Sequence, residues 1–373
     1  MKKLILFVVL MMSIIVNAMD IKVGLFGNIK AQGFSVKIDT GEYAIYDGNV
    51  LIMSAFQNDR ISFEKTGDKI LFYYNNEEFG RMTKPRVVSV DSFGVFKVRS
   101  TSPENDVHTF DDNFLVRIEQ NFLRGINEVN LEKYLAGVLE AEVGHFYNVE
   151  FLKTQAVLCR TYALRQMLNS NYPNYDICDF VQCQVYRGKN RFNMTIGEAV
   201  AASKGFIVTD VNNALIDAVF HSNSGGQTAN SEDVWGGSLS YLRSVEDTFS
   251  LAGNHACWQL RLSEEEWQKY LNKSFGMETV NWNTLDSIRY EMSTENEDFN
   301  PLLVRKDWRV QSDRFVVSKE DDWVVLEGQG FGHRVGLSQE GAHRMAELGY
   351  SFEAIIKHYY SNVEVIDLDT WRN

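Results

Sequence analysis

Short runs of alternating or β-branched apolar residues dominate the chain from residue 21 to about residue 100. Alternation with a period of two is typical of strands that bury one face. Turn signals separate the runs, and Asp47-Gly48-Asn49 and Thr66-Gly67-Asp68 favour hairpins. The pattern predicts an antiparallel β-rich region that ends near residue 110, in the polar stretch 100–112. The predicted strands are 21–26, 34–38, 50–56, 61–63, 69–74 and 93–98.

A helical period begins at residue 131 and continues to residue 143. At about 100° a residue, Glu142 falls near the centre of the apolar stripe, whereas Glu140 points the opposite way. We therefore expect Glu140 on a solvated face. An isolated buried charge is costly, so Glu142 requires either a structural ion pair or a functional cleft. The stripe comprises Leu131, Tyr134, Leu135, Val138 and Leu139.

A second helix follows, capped by Asn148, and its apolar residues lie nearly all round, which predicts a buried helix. Three polar residues within it, Gln155, Arg160 and Tyr162, form an internal hydrogen-bond network or line the same cleft as Glu142. A shorter helix is predicted to open with a capping box from Thr195 to Glu198.

Helix, strand and loop then alternate irregularly, which favours an α+β fold over a regular βαβ repeat. We expect a mixed helix-and-sheet domain over residues 111–373, preceded by the antiparallel β-rich N-terminal region over residues 19–110. With 373 residues and 45% hydrophobic content, the chain can bury a large core. Its formal net charge of −13 and the lack of a basic block argue against nucleic acid as a partner.

The first 18 residues have the pattern of a secretory signal. Lys2 and Lys3 precede an uncharged run over residues 4–16, and Ala18 supplies a small residue for cleavage. The run is 13 residues long, shorter than the roughly 17–25 that span a bilayer. We expect a mature chain from Met19, exported to the periplasm, cell envelope or exterior, with no membrane span after cleavage.

Four cysteines lie downstream. Export to an oxidising space would allow a disulfide between Cys178 and Cys183, although four cysteines permit three connectivities. A zinc site needs more ligands than this pair supplies.

Two later loops carry polar groups. His221 precedes Ser222 and Ser224, which suggests a Ser-His hydrolase, but no G-x-S-x-G elbow is present. The glycine-rich stretch 328–336 precedes a helix capped by Ser338, and its spacing matches neither the dinucleotide fingerprint nor the P-loop.

Together these segments resemble the family of stage II sporulation protein D, which includes lytic transglycosylases and amidase enhancers. The resemblance covers residues 126 to 360, in order, and differs from the family pattern at three points. Val143-Gly144 replaces Met-Pro after the glutamate, Arg334 stands where glycine is usual, and Gln182 replaces a histidine of zinc-binding members. The matching blocks are 134–142, 152–157, 160–163, Cys178 with 183–186, 220–226, 234–236 and 330–342.

The resemblance implies cleavage of peptidoglycan glycan strands between N-acetylmuramic acid and N-acetylglucosamine, leaving a 1,6-anhydro sugar. Glu142 would be the catalytic acid and base, with no cofactor, and we expect a Cys178–Cys183 disulfide in preference to zinc. The alternative is a non-catalytic peptidoglycan-binding module or an enhancer of a cell-wall amidase partner. Polar groups expected to bind the glycan are Gln155, Arg160, Tyr162, His221, Ser222, Ser224, His333, Ser338 and Gln339.

Overall fold

The computed structural model describes residues 19–169, 171–277 and 299–372. The predicted signal segment lies outside the described residues. The chain divides into two compact units. Of the described residues, those within Met1–Tyr134 and Asn174–Cys178 form the β unit, and those within Leu135–Pro173 and Asp179–Asn373 form the mixed unit. The predicted α+β class, with antiparallel strands in the N-terminal part, is confirmed.

The β unit contains two sheets. The first has the strand order β13-β1-β12-β11-β8-β3-β4, and the second has the order β10-β9-β2-β5-β6-β7. Its strands are β1 (Asp20–Leu25), β2 (Gly33–Thr40), β3 (Tyr43–Asp47), β4 (Val50–Ala55), β5 (Arg60–Thr66), β6 (Lys69–Tyr74), β7 (Glu77–Met82), β8 (Pro85–Ser89), β9 (Val95–Ser102), β10 (His108–Asp111), β11 (Asn113–Glu119), β12 (Phe122–Asn130) and β13 (Ile177–Cys178).

Both predicted hairpins form in this unit. The β3–β4 and β5–β6 turns each contain a glycine with positive φ, 61° at Gly48 and 59° at Gly67, a conformation that costs glycine little. Alternate residues are buried in strands such as β2, β5 and β9, and Phe34, Phe96 and Phe114 pack in the core as contacting rings. In these strands the apolar alternation produces one buried face, whereas Val50 and Leu51 at the start of β4 are exposed.

The mixed unit is built around a long buried helix, α2. This helix packs against α3, α7, α8 and strand β14. The helices are α1 (Leu131–Val143), α2 (Val149–Asn169), α3 (Met194–Ala202), α4 (Ser231–Trp235), α5 (Glu264–Phe275), α6 (Pro301–Trp308), α7 (Gln339–Glu347), α8 (Phe352–Tyr359) and α9 (Leu368–Arg372). The strands are β14 (Phe206–Asp210), β15 (Phe220–His221), β16 (Cys257–Ser263), β17 (Phe315–Glu320), β18 (Trp323–Gln329), β19 (Leu337–Ser338) and β20 (Val363–Asp367).

A separate cluster of apolar residues supports the three-stranded sheet β16-β18-β17 with α5 and α6. Trp267 and Leu271 of α5 and Val304 of α6 are almost fully buried in it. This small lobe therefore has a core of its own, and the polar residues of α6 face away from that core.

The predicted capping box of α3 is wrong. Its N-cap is Asn193, whose side chain accepts a hydrogen bond from the backbone N–H of Thr195 at 3.1 Å. Asn193 has both the extended backbone and the side-chain acceptor that an N-cap requires, so the helix starts one residue before Thr195. None of the helices in the described ranges has the length and apolar character needed to cross a membrane.

Candidate active site

The last turn of α1 places Glu142 at a cleft of about 390 Å³ in the mixed unit. The apolar stripe of α1 is buried, and Glu142, on the same side, is half-buried at the cleft wall. Its Oε1 accepts a hydrogen bond of 2.9 Å from the backbone N–H of Val185. Across the described ranges no cation forms an ion pair with Glu142. Of the two expected surroundings, an ion pair or a cleft, the structure therefore shows the cleft.

Burial raises the pKa of the Glu142 carboxyl above its ordinary value, and the Val185 N–H offsets only part of that effect. Desolvation disfavours the charged carboxylate, so the proton is retained at higher pH than in water. A carboxyl group in this environment can donate a proton and later accept one.

Apolar groups and the aromatic rings of Tyr162, Phe220 and Trp235 form most of the cleft wall. Of the nine residues expected to bind glycan, two line the cleft, Tyr162 and His333. Burial raises the pKa of Tyr162 to about 12, so its hydroxyl stays protonated and can donate. The remaining lining residues are Val181, Gln182, Cys183, Gln184, Val185, Ala218, Val219, Phe220 and Trp235.

The sequence prediction did not include Trp235, although it lies in one of the blocks that resemble the family. Its side chain is 50% exposed, and its ring centroid lies 5.0 Å from that of His333. A partly exposed aromatic ring in a concave site is typical of ligand binding. Periodicity does not reveal it, because α4 has only five residues.

His221 and His333 are brought together by the parallel pairing of β15 with β19. Their ring centroids are 5.5 Å apart. Desolvation by burial is the main cause that lowers the pKa of both, to about 4 for His333 and well below the ordinary value for His221. Both rings are therefore neutral at pH 7. His221 Nδ1 donates to the carbonyl of Val335 at 3.2 Å, and its buried Nε2 has no hydrogen-bond partner among the described residues.

Several predicted glycan-binding residues do not reach the cleft. Arg160 is fully buried and donates to the carbonyls of Ser203 and Phe206, so it belongs to the internal network that was the alternative interpretation. Gln155 is also fully buried, and in the part of the chain that the structure describes neither of its side-chain polar atoms has a hydrogen-bond partner. Ser222 and Gln339 are half-buried outside the cleft lining.

The two remaining serines, Ser224 and Ser338, are fully buried. Ser224 Oγ donates to the carboxylate of Asp247 at 2.7 Å, and Ser338 caps α7. Their hydroxyls hold the loops that carry His221 and His333, and a Ser-His hydrolase centre does not form around them.

Glu140 is not the solvated carboxylate that we expected. Its Oε1 accepts backbone N–H groups from Arg191 at 3.0 Å, Phe192 at 2.6 Å and Asn193 at 3.3 Å. The Asn193 side chain in turn donates to the carbonyls of Gly144 and Phe146. Helical spacing places Glu140 opposite Glu142 correctly, but it does not reveal that a loop 50 residues away covers that face.

Arg334, at the position where the family usually has glycine, adopts a left-handed backbone with φ of 60°. This conformation is costly for a side chain with Cβ. Arg334 is nearly fully buried, and its Nε lies 3.2 Å from Oδ1 of Asp313. The buried ion pair offsets the strained backbone.

Cys178 and Cys183 are both disulfide-bonded, and Cys159 and Cys257 are free, which confirms the predicted pairing. Within the described ranges there is no group of three or more His, Cys, Asp or Glu residues arranged to hold a metal ion.

Comparisons with known proteins agree with this architecture. The family model described as Stage II sporulation protein (SpoIID) matches residues 119–209, which include Glu142 and α2. An uncharacterized protein of Brachyspira hyodysenteriae is 30% identical over 256 residues, which cover 65% of this chain and 68% of the relative. Stage II sporulation protein D of Bacillus subtilis is 29% identical over 67% of this chain and 78% of the relative.

The amidase enhancer of Bacillus subtilis is 25% identical to this chain over 287 residues, which cover 61% of this chain and 39% of the enhancer. The family model and these relatives together show that the chain belongs to the stage II sporulation protein D family.

Proposed function

We propose that this protein is a peptidoglycan lytic transglycosylase in which Glu142 is the only general acid and base. The observation that carries the proposal is one half-buried carboxyl group with a raised pKa in a mostly apolar cleft. Among the residues that line the cleft, Glu142 is the only carboxylic acid. Glycosidases that use water or a covalent intermediate need two carboxyl groups about 5–10 Å apart.

One carboxyl group is enough when the sugar supplies its own nucleophile. Protonated Glu142 donates to the glycosidic oxygen, and the bond from that oxygen to C1 of N-acetylmuramic acid breaks. The 6-hydroxyl of the same sugar then bonds to C1, and the Glu142 carboxylate accepts its proton. The carboxyl group is regenerated, and the products are a 1,6-anhydro end and a free N-acetylglucosamine hydroxyl.

The neighbours of Glu142 support this sequence of steps. The Val185 N–H stabilises the carboxylate between the two proton transfers without forcing it to stay ionised. Neutral His333 and the Tyr162 hydroxyl are uncharged polar groups that can orient sugar hydroxyls and N-acetyl groups, and Trp235 offers an apolar ring face. His333 and Tyr162 stay uncharged during both proton transfers, so among the residues that line the cleft only Glu142 changes charge.

A second candidate function is favoured by the similarity to the amidase enhancer and by Val143-Gly144 following the glutamate. In that case the cleft would bind glycan without cleaving it, and the protein would increase the activity of a separate cell-wall amidase.

Product analysis distinguishes the two. Purified protein incubated with isolated glycan strands should release fragments that end in 1,6-anhydro-N-acetylmuramic acid, identified by mass spectrometry. Strands that remain intact while a cell-wall amidase is stimulated would support the enhancer instead. A reducing N-acetylmuramic acid end would mean hydrolysis and contradict the proposed chemistry.

Peptidoglycan lies outside the cytoplasm, so this function requires export. The pattern of Lys2, Lys3, the apolar run and Ala18 supports secretion and a mature chain that begins at Met19.

A further inference from the structure

A second pocket, of about 380 Å³, lies on α6 in the small lobe. Leu302, Arg305, Lys306 and Arg309 line it together with Val310. The first four have the spacing i, i+3, i+4 and i+7, so they share one face of the helix and its C-terminal end. We call these five residues the anion pocket. It collects three cations in a chain whose net charge is −13.

Cations in the last turn of a helix are common, because they interact favourably with the helix dipole. That explains exposed Lys306 and Arg309, but not Arg305, which is half-buried. Burial lowers the pKa of Arg305, and it forms no hydrogen bond or ion pair with any residue in the described ranges. A desolvated guanidinium is costly without a partner, so among the described residues Arg305 is the cation of this pocket best placed to take up a bound anion.

Asp313 does not fill that role. Asp313 attracts Arg305 electrostatically, but its carboxylate already forms the buried ion pair with Arg334. Arg334 also repels Arg305. Two cations therefore share one carboxylate, and the pocket keeps an excess of positive charge.

The pocket adjoins the His333 side of the cleft. The positive charge of Arg305 contributes to lowering the pKa of both His333 and His221. The backbone gives the contact: Val310 of the pocket is followed by Gln311, whose carbonyl accepts a hydrogen bond of 3.0 Å from the N–H of Gly332, the residue before His333. A polymer that occupies the cleft beside His333 can therefore present a side group to the anion pocket.

We propose that Arg305, Lys306 and Arg309 form a subsite for a carboxylate carried by a substituent of the glycan strand. This inference rests on the proposed function, because it takes the cleft to hold glycan. Arginine binds carboxylates in bidentate geometry, and the two flanking cations add long-range attraction. Two sources offer this group, the lactyl ether of N-acetylmuramic acid and the peptide attached to it.

The test measures binding to four glycans by protein that carries Glu142→Gln to prevent cleavage. The glycans are strands with intact peptides, strands whose peptides have been removed to leave lactyl carboxylates, the same stripped strands converted to carboxamides, and neutral N-acetylglucosamine hexamers. The variant is Arg305→Gln/Lys306→Gln/Arg309→Gln. The control, Arg261→Gln/Lys269→Gln/Lys273→Gln, removes the same charge from exposed residues of the same lobe.

The variant should bind at least one carboxylated glycan about tenfold more weakly, with a change of about twofold or less for the two neutral glycans. The control should stay within about twofold for all four. Loss of affinity only for strands with intact peptides assigns the peptide as the source, and loss for stripped strands assigns the lactyl group. Unchanged affinity of the folded variant, or equal loss for the carboxamide strands, overturns the proposal.

If the triple variant fails to fold, Lys306→Gln/Arg309→Gln replaces only exposed side chains and should still weaken binding about threefold. Unchanged binding by that variant would also overturn the proposal. Absence of binding to every glycan by the Glu142→Gln protein would contradict the proposed function itself, and the subsite with it. Normal glycan cleavage together with glycan binding that does not depend on the charges of Arg305, Lys306 and Arg309 would contradict the subsite but not the proposed function.

Discussion

Half-burial of the Glu142 carboxyl has a thermodynamic consequence as well as a chemical one. A folded-state pKa above the ordinary value of 4.5 means that the native protein binds this proton more tightly than the unfolded chain. The contribution of this proton to the free energy of unfolding is therefore fully present below about pH 4.5. It is lost as the pH rises through the pKa of Glu142 in the folded protein.

We predict that Glu142→Gln becomes increasingly more stable relative to wild type as the pH rises above 4.5 and then levels off. The amide cannot ionise, and its oxygen can still accept from Val185. Thermal melts of both proteins across the pH range check this. A stability difference that does not change with pH would show that Glu142 is not desolvated.

The position of Glu142 on the buried stripe of α1 could be predicted from residue spacing, because a helix imposes a fixed angle per residue. The cleft opposite it could not. Val185, Trp235 and His333 come from loops and short elements, and their places depend on contacts distant in sequence. The blocks that resemble the family include all three segments, but of these three side chains only His333 was among the predicted glycan-binding residues.

Two carboxylates of helix α1 accept hydrogen bonds from the segment that precedes α3. Glu142 accepts from the backbone of Val185, and Glu140 accepts from residues 191–193. Gly137 permits the close approach, since a Cβ there would lie 2.0 Å from the carbonyl oxygen of Gly188. The chain between α2 and α3 is thereby held against the helix that carries the proposed catalytic group.

We predict that Glu140→Gln lowers the free energy of unfolding by about 1–3 kcal/mol, because hydrogen bonds to a carboxylate are stronger than those to an amide. Chemical denaturation measures the loss. Glu198→Gln, on the exposed face of α3, is the control and should change stability by less than about 0.5 kcal/mol. Equal stability of both variants with wild type would mean that these bonds contribute nothing.

Cysteine chemistry gives a second test at this scale. We predict that the unfolded, unreduced protein reacts with two equivalents of a thiol reagent, from Cys159 and Cys257, and with four after reduction. The same sample should contain no stoichiometric zinc after dialysis. Four reactive thiols without reduction, or retained zinc, would contradict the disulfide.

For the whole molecule, local sequence patterns predict the α+β class and the turns of two hairpins. The hairpins at Gly48 and Gly67 depend on neighbouring residues and form as expected. The order of the seven-stranded sheet, in which β1 pairs with β12, depends on residues 100 apart in sequence and has no local signal. The small lobe with its own core was likewise not predicted.

Export is tested by intact mass. We predict that protein isolated from its native host begins at Met19, because the first 18 residues have the pattern of a cleaved secretory signal. An abundant species that retains Met1 would contradict export, and with it access to peptidoglycan.

Anhydro-product formation in matched variants tests whether Glu142 alone transfers the proton. Wild type, Glu142→Gln and Glu198→Gln are compared on the same glycan strands, with melting temperatures measured to exclude unfolding. Loss of a general acid and base typically costs 10²–10⁴-fold in rate, about 3–5 kcal/mol of barrier. We predict a rate loss of this size for Glu142→Gln, with glycan binding retained. Glu198→Gln should keep the wild-type turnover. Near wild-type release of anhydro products by folded Glu142→Gln would contradict the account.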